Sequence, residues 1–213
     1  MTEQIVLLDV GLGNLRSVHK ALEAASRLGG VSIEVTRTRD PETVRRGDRI
    51  VVPGQGGFRD FARALAGPLA EALTEILRRG QPYFGICLGL QLLFTESDEA
   101  AGERGLGWLG GRVERLSGHD VKIPHLGWNQ LELTSPAHPY LLAAGGEGAW
   151  AYFVHSFHAV ADDAAMVAAH ATHGDNHITA AISHENVFAT QFHPEKSQSA
   201  GIALLAAFLQ DRR

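Results

Sequence analysis

Cysteine, basic charge and long apolar runs are all scarce in this sequence. Cysteine occurs once in 213 residues, so no disulfide can form within them, and the reducing cytosol is the expected compartment. No apolar run approaches the ~20 residues of a membrane-spanning helix, and residues 1–14 lack the basic start of a secretory signal. A net charge of −5 gives no general attraction to nucleic acid or to anionic membranes. These absences favour a soluble cytoplasmic protein that binds neither.

Short β-rich runs alternate with helical periodicity along the first half of the chain. The predicted strands cover residues 4–10, 31–37, 49–54 and 82–86. The predicted helices cover residues 15–28, 61–79 (with a break at Gly67-Pro68) and 88–96. Such alternation predicts a parallel sheet with helices on both faces. Residues 37–49, rich in Arg and Asp, are interpreted as a solvated connection.

The second half predicts further strands and a closing helix. The strand candidates cover residues 128–134, 148–160, 165–172, 178–185 and 187–192. Residues 173–176 and 184–186 are hairpin turn candidates, and residues 199–210 have helical character. The sequence therefore predicts one α/β domain over residues 1–213, a parallel core with an antiparallel extension.

The single cysteine, Cys87, stands in the sequence GICLG between a predicted strand and a predicted helix. This pattern is typical of a nucleophile elbow, where Gly85 and Gly89 would avoid a collision between a Cβ atom and the opposing backbone. A helix N-terminus favours the thiolate, and its free N–H groups, beginning with Leu88, can bind an oxyanion. A buried cysteine without a catalytic role is the alternative.

A nucleophilic thiol needs a base, and the sequence FHPEKS supplies a candidate. In an extended segment residues i and i+2 point to the same side, so His193 and Glu195 project together. Pro194 disfavours a helical His193. A carboxylate beside an imidazole fixes its tautomer and supports its protonated form. His193 could reach Cys87 if both strands end at the same sheet edge; a surface His–Glu pair is the alternative.

These motifs resemble the class I glutamine amidotransferases, which have a flavodoxin-like fold and a Cys-His-Glu triad. The resemblance covers nearly the whole chain. GNLRS (13–17) and PHLGWN (124–129) resemble one branch of that family, the glutaminase subunits of imidazole glycerol phosphate synthase. It implies hydrolysis of glutamine without a cofactor, and delivery of ammonia to a (β/α)8-barrel cyclase in a heterodimer. That cyclase makes imidazole glycerol phosphate and an aminoimidazole ribotide in histidine biosynthesis.

The resemblance also implies roles for single residues. Cys87 would form a γ-glutamyl thioester, His193 would carry protons, and Glu195 would orient His193. The remaining oxyanion contacts and the substrate contacts would come from Gly54 and Gln55, and from Gly56, Gln91, His155, Ser156 and Phe157. Val10, Gly57 and Phe157 depart from the residues expected in many relatives.

A thiol site active without its partner would waste glutamine, so we expect the free chain to be nearly inactive. Asn14, Lys122, Trp128 and Asn129 are the candidates for the docking face. A core position is the alternative for Trp128.

Two other patterns were considered as ligand sites. His170, His173 and His177 have spacings that suit a metal on a helix, but a predicted turn separates them, so no metal site is expected. GLGNLR (11–16) has Arg16 where a dinucleotide fingerprint needs glycine.

Three rival functions stay open at the sequence level. The chain could serve another synthase, such as the anthranilate, aminodeoxychorismate or pyridoxal phosphate system. It could also be a catalytically silent flavodoxin-like binding module or a metal-dependent hydrolase.

Overall fold

The computed structural model describes residues 2–118 and 121–212. Its strands are β1 (Glu3–Leu8), β2 (Ile33–Thr38), β3 (Arg49–Gly54), β4 (Tyr83–Cys87), β5 (Glu96–Ser97), β6 (Gly111–Arg115), β7 (His125–Gln130), β8 (Glu132–Leu133), β9 (Trp150–His155), β10 (Phe157–Ala161), β11 (Val167–His173), β12 (Asn176–His184) and β13 (Val187–Thr190). Its α-helices are α1 (Leu15–Gly29), α2 (Pro41–Arg46), α3 (Phe58–Leu65), α4 (Pro68–Arg78), α5 (Leu88–Gln91), α6 (Pro139–Ala143) and α7 (Gln198–Gln210). Within the described residues, no helix has the length and apolarity needed to cross a membrane.

The central sheet has the strand order β2-β1-β3-β4-β13-β12-β11-β8. Strands β2, β1, β3, β4 and β13 run parallel. Strands β12, β11 and β8 continue the sheet in antiparallel pairs. The predicted parallel core with an antiparallel extension is therefore confirmed.

Alternating apolar residues on the parallel strands give the sheet two packed faces. On β1, Ile5 and Leu7 face one core with helices α1 and α7, whereas Val6 and Leu8 face the other with α3 and α4. Both faces of a central parallel strand are covered by helices, which explains why these strands read as continuous apolar runs. The carboxyl ends of β3, β4 and β13 then meet at one edge of the sheet, which positions the site described below.

The helix after Cys87 is shorter than predicted. Instead of residues 88–96, α5 covers only Leu88–Gln91. The carbonyl groups of Leu92 and Leu93 accept hydrogen bonds from the returning segment 106–109, with N···O distances of 2.7–2.9 Å. Because these carbonyls are already paired, they are not available to continue the helix. The prediction for residues 92–96 was wrong.

Residues 37–49 contain a helix where only a solvated connection was predicted. The Asp40 carboxylate caps α2 by accepting the Thr43 N–H at 2.8 Å, and Pro41 occupies the first turn. Val44 is fully buried, so this short helix also contributes to the core.

The predicted break at Gly67-Pro68 is confirmed, because it separates α3 from α4.

Two smaller sheets accompany the central sheet, and parts of both lie near the carboxyl end of β4, where Cys87 is located. Strands β7 and β9 form an antiparallel ribbon, and β10, β6 and β5 form a three-stranded sheet. The predicted strand 148–160 is thus two strands, with Ser156 at the change of sheet. This change of direction brings residues 155–157 over the carboxyl ends of the parallel strands.

Candidate active site

Cys87 lies at a sharp corner between β4 and α5. Its backbone has φ 55° and ψ −103°, a conformation that L-residues rarely adopt and that costs about 1–3 kcal/mol. A Cβ at Gly89 would lie 1.8 Å from the Val52 carbonyl oxygen, and a Cβ at Gly85 would lie 2.6 Å from the Gly89 oxygen. The expected collision with opposing backbone is therefore confirmed. The two glycines allow the strained corner to pack against β3.

The sheet brings His193 and Glu195 to the corner that carries Cys87. Strand β13 pairs with β4 up to the Thr190–Ile86 pair, and His193 follows three residues later. His193 Nδ1 lies 2.8 Å from Glu195 Oε1, and both side chains are buried. A carboxylate accepts, so Nδ1 carries the proton in that bond. His193 Nε2 is buried without a hydrogen-bond partner among the described residues and is free to exchange a proton.

The electrostatic surroundings of His193 favour its protonated form. Burial by itself would lower the pKa of His193, but the neighbouring Cys87 thiol and the Glu195 carboxylate together raise that pKa to about 9. An imidazole that holds a proton strongly beside a thiol is suited to the ion pair of a thiolate and an imidazolium.

Cys87 and His193 line a cavity of about 440 Å³. The predicted oxyanion and substrate residues that line it are Gln55, Gly56, Leu88, Gln91, His155, Ser156 and Phe157. Gly54 is fully buried behind this wall, where a Cβ would lie 2.6 Å from the Leu88 Cβ. Gly56 has φ +108°, which glycine adopts without strain. The volume suits a small amino-acid substrate.

The model of the family Glutamine amidotransferase class-I matches residues 6–211. The chain belongs to this family. Two curated relatives are each named imidazole glycerol phosphate synthase subunit HisH. The protein from Rhodospirillum rubrum is 48% identical over 97% of this chain and 98% of its own length. The protein from Rhizobium meliloti is 43% identical over the same shares of the two chains. The predicted resemblance to this branch of the family is confirmed.

The fold of this amidotransferase also matches solved structures. One, described as a crystal structure of glutamine amidotransferase, superposes with a TM-score of 0.69. It covers 95% of this chain and 98% of its own, at 22% identity, so this likeness supports the fold alone.

Gln91 of this amidotransferase connects the cavity to the buried interior. Its Nε2 donates to the Phe157 carbonyl at 3.0 Å and to Gln191 Oε1 at 2.9 Å. Its Oε1 is buried without a partner among the described residues and remains a free acceptor. The Phe157 carbonyl also accepts from His155 Nδ1 at 2.9 Å. Both lone pairs of that carbonyl are therefore used, and a substrate contact through Phe157 has to use other atoms.

His155 continues into a directed chain of hydrogen bonds. Because its Nδ1 donates to Phe157, its Nε2 accepts, and the donor is His125 Nδ1 at 3.1 Å. His125 Nε2 then accepts from Asn129, whose amide also donates to the Thr172 carbonyl at 2.8 Å. Burial, and then a neighbouring histidine, lowers the pKa of His155 to about 3 and that of His125 to about 4. Both imidazoles are neutral, as the hydrogen bonds between His155, His125 and Asn129 require.

Sequence reasoning missed several residues of the cavity. Glu99 and Lys196 line it, and the Glu99 carboxylate also accepts the Phe58 N–H at the start of α3, at 3.0 Å. Gln191 touches the sulfur from below the cavity. The predicted pairing of His193 with Glu195 is found, but the extended segment assumed for it is wrong, because Pro194–Lys196 form a short 3-10 helix. The i and i+2 rule applied to residues 191 and 193 would have placed Gln191 on the side of His193, so this signal was present in the sequence. Nothing in the sequence pattern points to Glu99.

The four predicted docking residues differ in exposure, and three of them already have partners within the chain. Asn14 is exposed but caps α1 by accepting the Ser17 N–H, and Lys122 is exposed. Asn129 is half-buried and takes part in the hydrogen-bond chain to His155. Trp128 is 43% exposed and stacks edge-to-face on Tyr152, so the alternative of a core position is wrong.

Trp128 belongs to a wider apolar face on the ribbon of β7 and β9. Cross-strand pairs place Leu126 opposite Val154 and Trp128 opposite Tyr152, and Trp150 stands at the end of the same face. Leu126 and Trp150 are both more than half exposed. Val154 also lines the cavity of Cys87, so the apolar face and the cavity are adjacent.

The three histidines considered as metal ligands do not converge. His170 stacks on His177 with ring centroids 3.9 Å apart, whereas His173 stacks on His125 at 4.2 Å. The turn at residues 174–175 joins β11 to β12 and separates these pairs.

Proposed function

We propose that this chain is the glutaminase subunit of an imidazole glycerol phosphate synthase. It hydrolyses glutamine to glutamate and ammonia through Cys87, His193 and Glu195, and it passes the ammonia to a (β/α)8-barrel cyclase in a cytoplasmic heterodimer. The cyclase uses the ammonia to make imidazole glycerol phosphate and an aminoimidazole carboxamide ribotide in histidine biosynthesis. The near full-length identity to the HisH proteins supports this proposal.

The observation that carries the proposal is the pairing of a strained nucleophile corner with an oriented imidazole in one cavity. In the first half-reaction, the Cys87 sulfur attacks the carboxamide carbon of glutamine, and the thiol proton passes to His193 Nε2. His193 then returns this proton to the departing nitrogen, the C–N bond breaks, and ammonia leaves a γ-glutamyl thioester. Glu195 holds the imidazole in the required tautomer throughout.

In the second half-reaction, water replaces ammonia. His193 Nε2 removes a proton from water, the hydroxide attacks the thioester carbon, and the C–S bond breaks to give glutamate. The proton on His193 restores the thiol. The balance is one glutamine and one water consumed, with one glutamate and one ammonia formed, and it requires no metal or redox partner.

Each tetrahedral intermediate carries a negative oxygen that needs donors. The N–H of Leu88 opens α5 and lacks a partner inside that helix, so it is one candidate. The second donor is a backbone N–H of the segment that follows β3, at Gln55 or Gly56, with Gly54 providing the close packing beneath it. Removing one such donor from an enzyme typically costs about 10²–10³ in rate.

Charged and polar groups on the cavity wall suit the rest of the glutamine molecule. The Glu99 carboxylate can pair with the α-ammonium group, and Lys196 can pair with the α-carboxylate. The free Oε1 of Gln91 can accept from the substrate carboxamide N–H, which would satisfy a buried acceptor. His155 and Ser156 line the same wall.

The apolar face of β7 and β9 is the best candidate for the cyclase contact. Exposed Leu126, Trp128 and Trp150 are the kind of anchors that protein interfaces bury. The loop before α1 packs closely against the oxyanion segment. A Cβ atom at Gly13 would lie only 3.5 Å from the Gln55 backbone nitrogen. A partner that presses on this loop and its neighbour Asn14 can therefore change the oxyanion segment.

A glutaminase assay with and without the cyclase tests the proposal. We expect slow glutamate formation by the isolated chain, a large increase when the cyclase is added, and ammonia-dependent product formation by the complex. Robust turnover without a partner would defeat the activation idea. Copurification with a different synthase would instead support one of the rival amidotransferase systems, and activity lost to a chelator would support a metal-dependent hydrolase.

A further inference from the structure

Gln191 is a fully buried polar residue that the mechanism above does not use. Its Nε2 lies 3.4 Å from the Cys87 sulfur, within the range of an N–H···S hydrogen bond, and its Oε1 accepts from Gln91 Nε2 at 2.9 Å. A buried carboxamide is costly unless its donors and acceptors are paired. The carboxamide of Gln191 therefore spans the gap between the nucleophile and the substrate-binding Gln91.

The orientation of this carboxamide follows from a backbone carbonyl. The Phe157 carbonyl can only accept, so the Gln91 atom that faces it is the nitrogen. That nitrogen has a second hydrogen, which points at Gln191, so the Gln191 atom facing it is the oxygen. The remaining end of Gln191, facing the sulfur, is the NH₂ group. These hydrogen bonds therefore fix the orientation of both side-chain amides, Gln91 and Gln191.

The backbone of Gln191 is held as firmly as its side chain. Strand β13 pairs in parallel with β4 up to Thr190 and Ile86, and Gln191 is the first residue after β13, level with Cys87 at the end of β4. The Gln191 N–H donates to the Ala180 carbonyl at 2.9 Å. The donor therefore directly follows a paired strand and is held there by a backbone hydrogen bond to β12.

We propose that Gln191 is a positioning residue of the glutaminase, whose carboxamide donates a hydrogen bond to the Cys87 sulfur and stabilises the thiolate. The inference rests on the proposed function for its catalytic meaning. A donor aimed at the sulfur favours the anionic form, because a thiolate is the better acceptor. The same bond holds the sulfur at the strained corner, where it faces the cavity.

Several titratable groups surround the sulfur and have to be considered with Gln191. His193 lines the cavity beside Cys87 and is paired with Glu195, while His155, Glu99 and Lys196 line the cavity wall. A substitution at Gln191 leaves all of these groups in place. A change in thiolate formation after that substitution can therefore be assigned to the lost donor once general loosening has been controlled.

Thiolate formation at the only cysteine is measured by its rate of alkylation with iodoacetamide across pH 4–10. Mass spectrometry follows the alkylation, and the pH at which the rate is half-maximal is the alkylation midpoint. Gln191→Met keeps the length but removes both the donor to the sulfur and the acceptor of Gln91, and we expect its alkylation midpoint to rise by about one pH unit, or ~1.4 kcal/mol. Gln191→Glu keeps the shape but places a carboxylate against the sulfur, and its midpoint should rise further. In the complex with the cyclase, both variants should lose at least about tenfold in kcat with a smaller change in KM.

Thr190→Val is the matched control. Thr190 is equally buried and immediately precedes Gln191, and its hydroxyl donates to the Phe192 carbonyl at 2.9 Å instead of to the sulfur. This variant should keep the wild-type alkylation midpoint even if its thermal stability falls. An unchanged midpoint in Gln191→Met, or equal shifts in Gln191→Met and Thr190→Val, would overturn the proposal and leave Gln191 a purely structural residue.

The alkylation arm does not require glutamine turnover, so it separates two kinds of failure. If the midpoint depends on Gln191 but the complex has no glutaminase activity, the inference stands and the proposed function fails. If the complex is active but the alkylation midpoint does not change when Gln191 is replaced, the proposed function stands and the inference about Gln191 fails.

Discussion

Gly89→Ala is the substitution that most directly tests the packing of the nucleophile corner. The new Cβ would lie 1.8 Å from the Val52 carbonyl oxygen, whereas real Cβ atoms stay at least 3.0 Å away. Relieving the clash requires a displacement of about 1.2 Å between α5 and β3. Overpacking of this kind costs about 1–3 kcal/mol or more, and the helix-propensity gain of at most ~1 kcal/mol does not offset a backbone clash.

The displacement should also harm catalysis, because it moves the sulfur relative to the oxyanion donors. A misplacement of about 1 Å can cost about 10²-fold in rate. Urea unfolding followed by circular dichroism measures the stability change, and a glutaminase assay of the complex measures the rate. We expect a loss of about 2 kcal/mol and at least ~10²-fold in kcat/KM.

Gly57→Ala is the matched control for this experiment. Gly57 has φ −93°, and a Cβ there would lie 3.5 Å from Glu99 Oε1, an ordinary contact. The alanine that many relatives are expected to have at this position is therefore accommodated, and it should be neutral or stabilising by about 0.4–1 kcal/mol. Wild-type stability and activity in Gly89→Ala would refute the packing argument, as would an equal loss in both variants.

Three further predictions follow from the site and its surface. Glu195→Gln removes the carboxylate that helps to raise the pKa of His193, so kcat should fall by about 10²–10⁴; a wild-type pH–rate profile in this variant would count against the triad. The pKa of His155 is lowered by burial to about 3, below the ordinary value of 6.5, so its contribution to stability is present above pH 6.5 and is lost as the pH falls towards 3, by at most ~1.4 kcal/mol per unit. Urea titrations at pH 7 and pH 5 should show this loss, and His155→Gln should reduce it; equal pH slopes would contradict the assignment. Leu126→Ser combined with Trp128→Ser should weaken cyclase binding at least about tenfold in a titration, with unchanged stability of the free chain, because both side chains are exposed; unchanged affinity would move the contact elsewhere.

Local rules were enough to predict the corner at Cys87, the contact of His193 with Glu195 and the parallel core. The elbow around Cys87 depends on neighbours within two residues, which a sequence displays directly. His193 and Glu195 are also two residues apart and do meet, but through a 3-10 helix at Pro194–Lys196 and not through the extended segment that was predicted. The apolar runs of β1, β3 and β4 likewise follow from burial on both faces. For α2, Asp40 followed by Pro41 is a helix-start signal that the sequence contains, but the Arg- and Asp-rich segment around it was interpreted only as a solvated connection.

Contacts between distant segments could not be predicted from the sequence. The length of α5 depends on hydrogen bonds from residues 106–109, which only the folded chain brings to Leu92 and Leu93. Glu99 reaches the cavity for the same reason, through its bond to the Phe58 N–H. The Phe157 carbonyl accepts hydrogen bonds from both His155 and Gln91, and only the fold brings these two donors to it.

Trapping the Cys87 sulfur is the most direct test of the central claim that Cys87 and His193 act as one unit. The complex with the cyclase is treated with a glutamine-like electrophile, and the labelled peptide is mapped by mass for the wild type and for His193→Asn. We expect a single label on Cys87 in the wild type and a labelling rate at least about 10²-fold lower in the variant. Absence of label on Cys87, or equal labelling rates in the two proteins, would contradict the account.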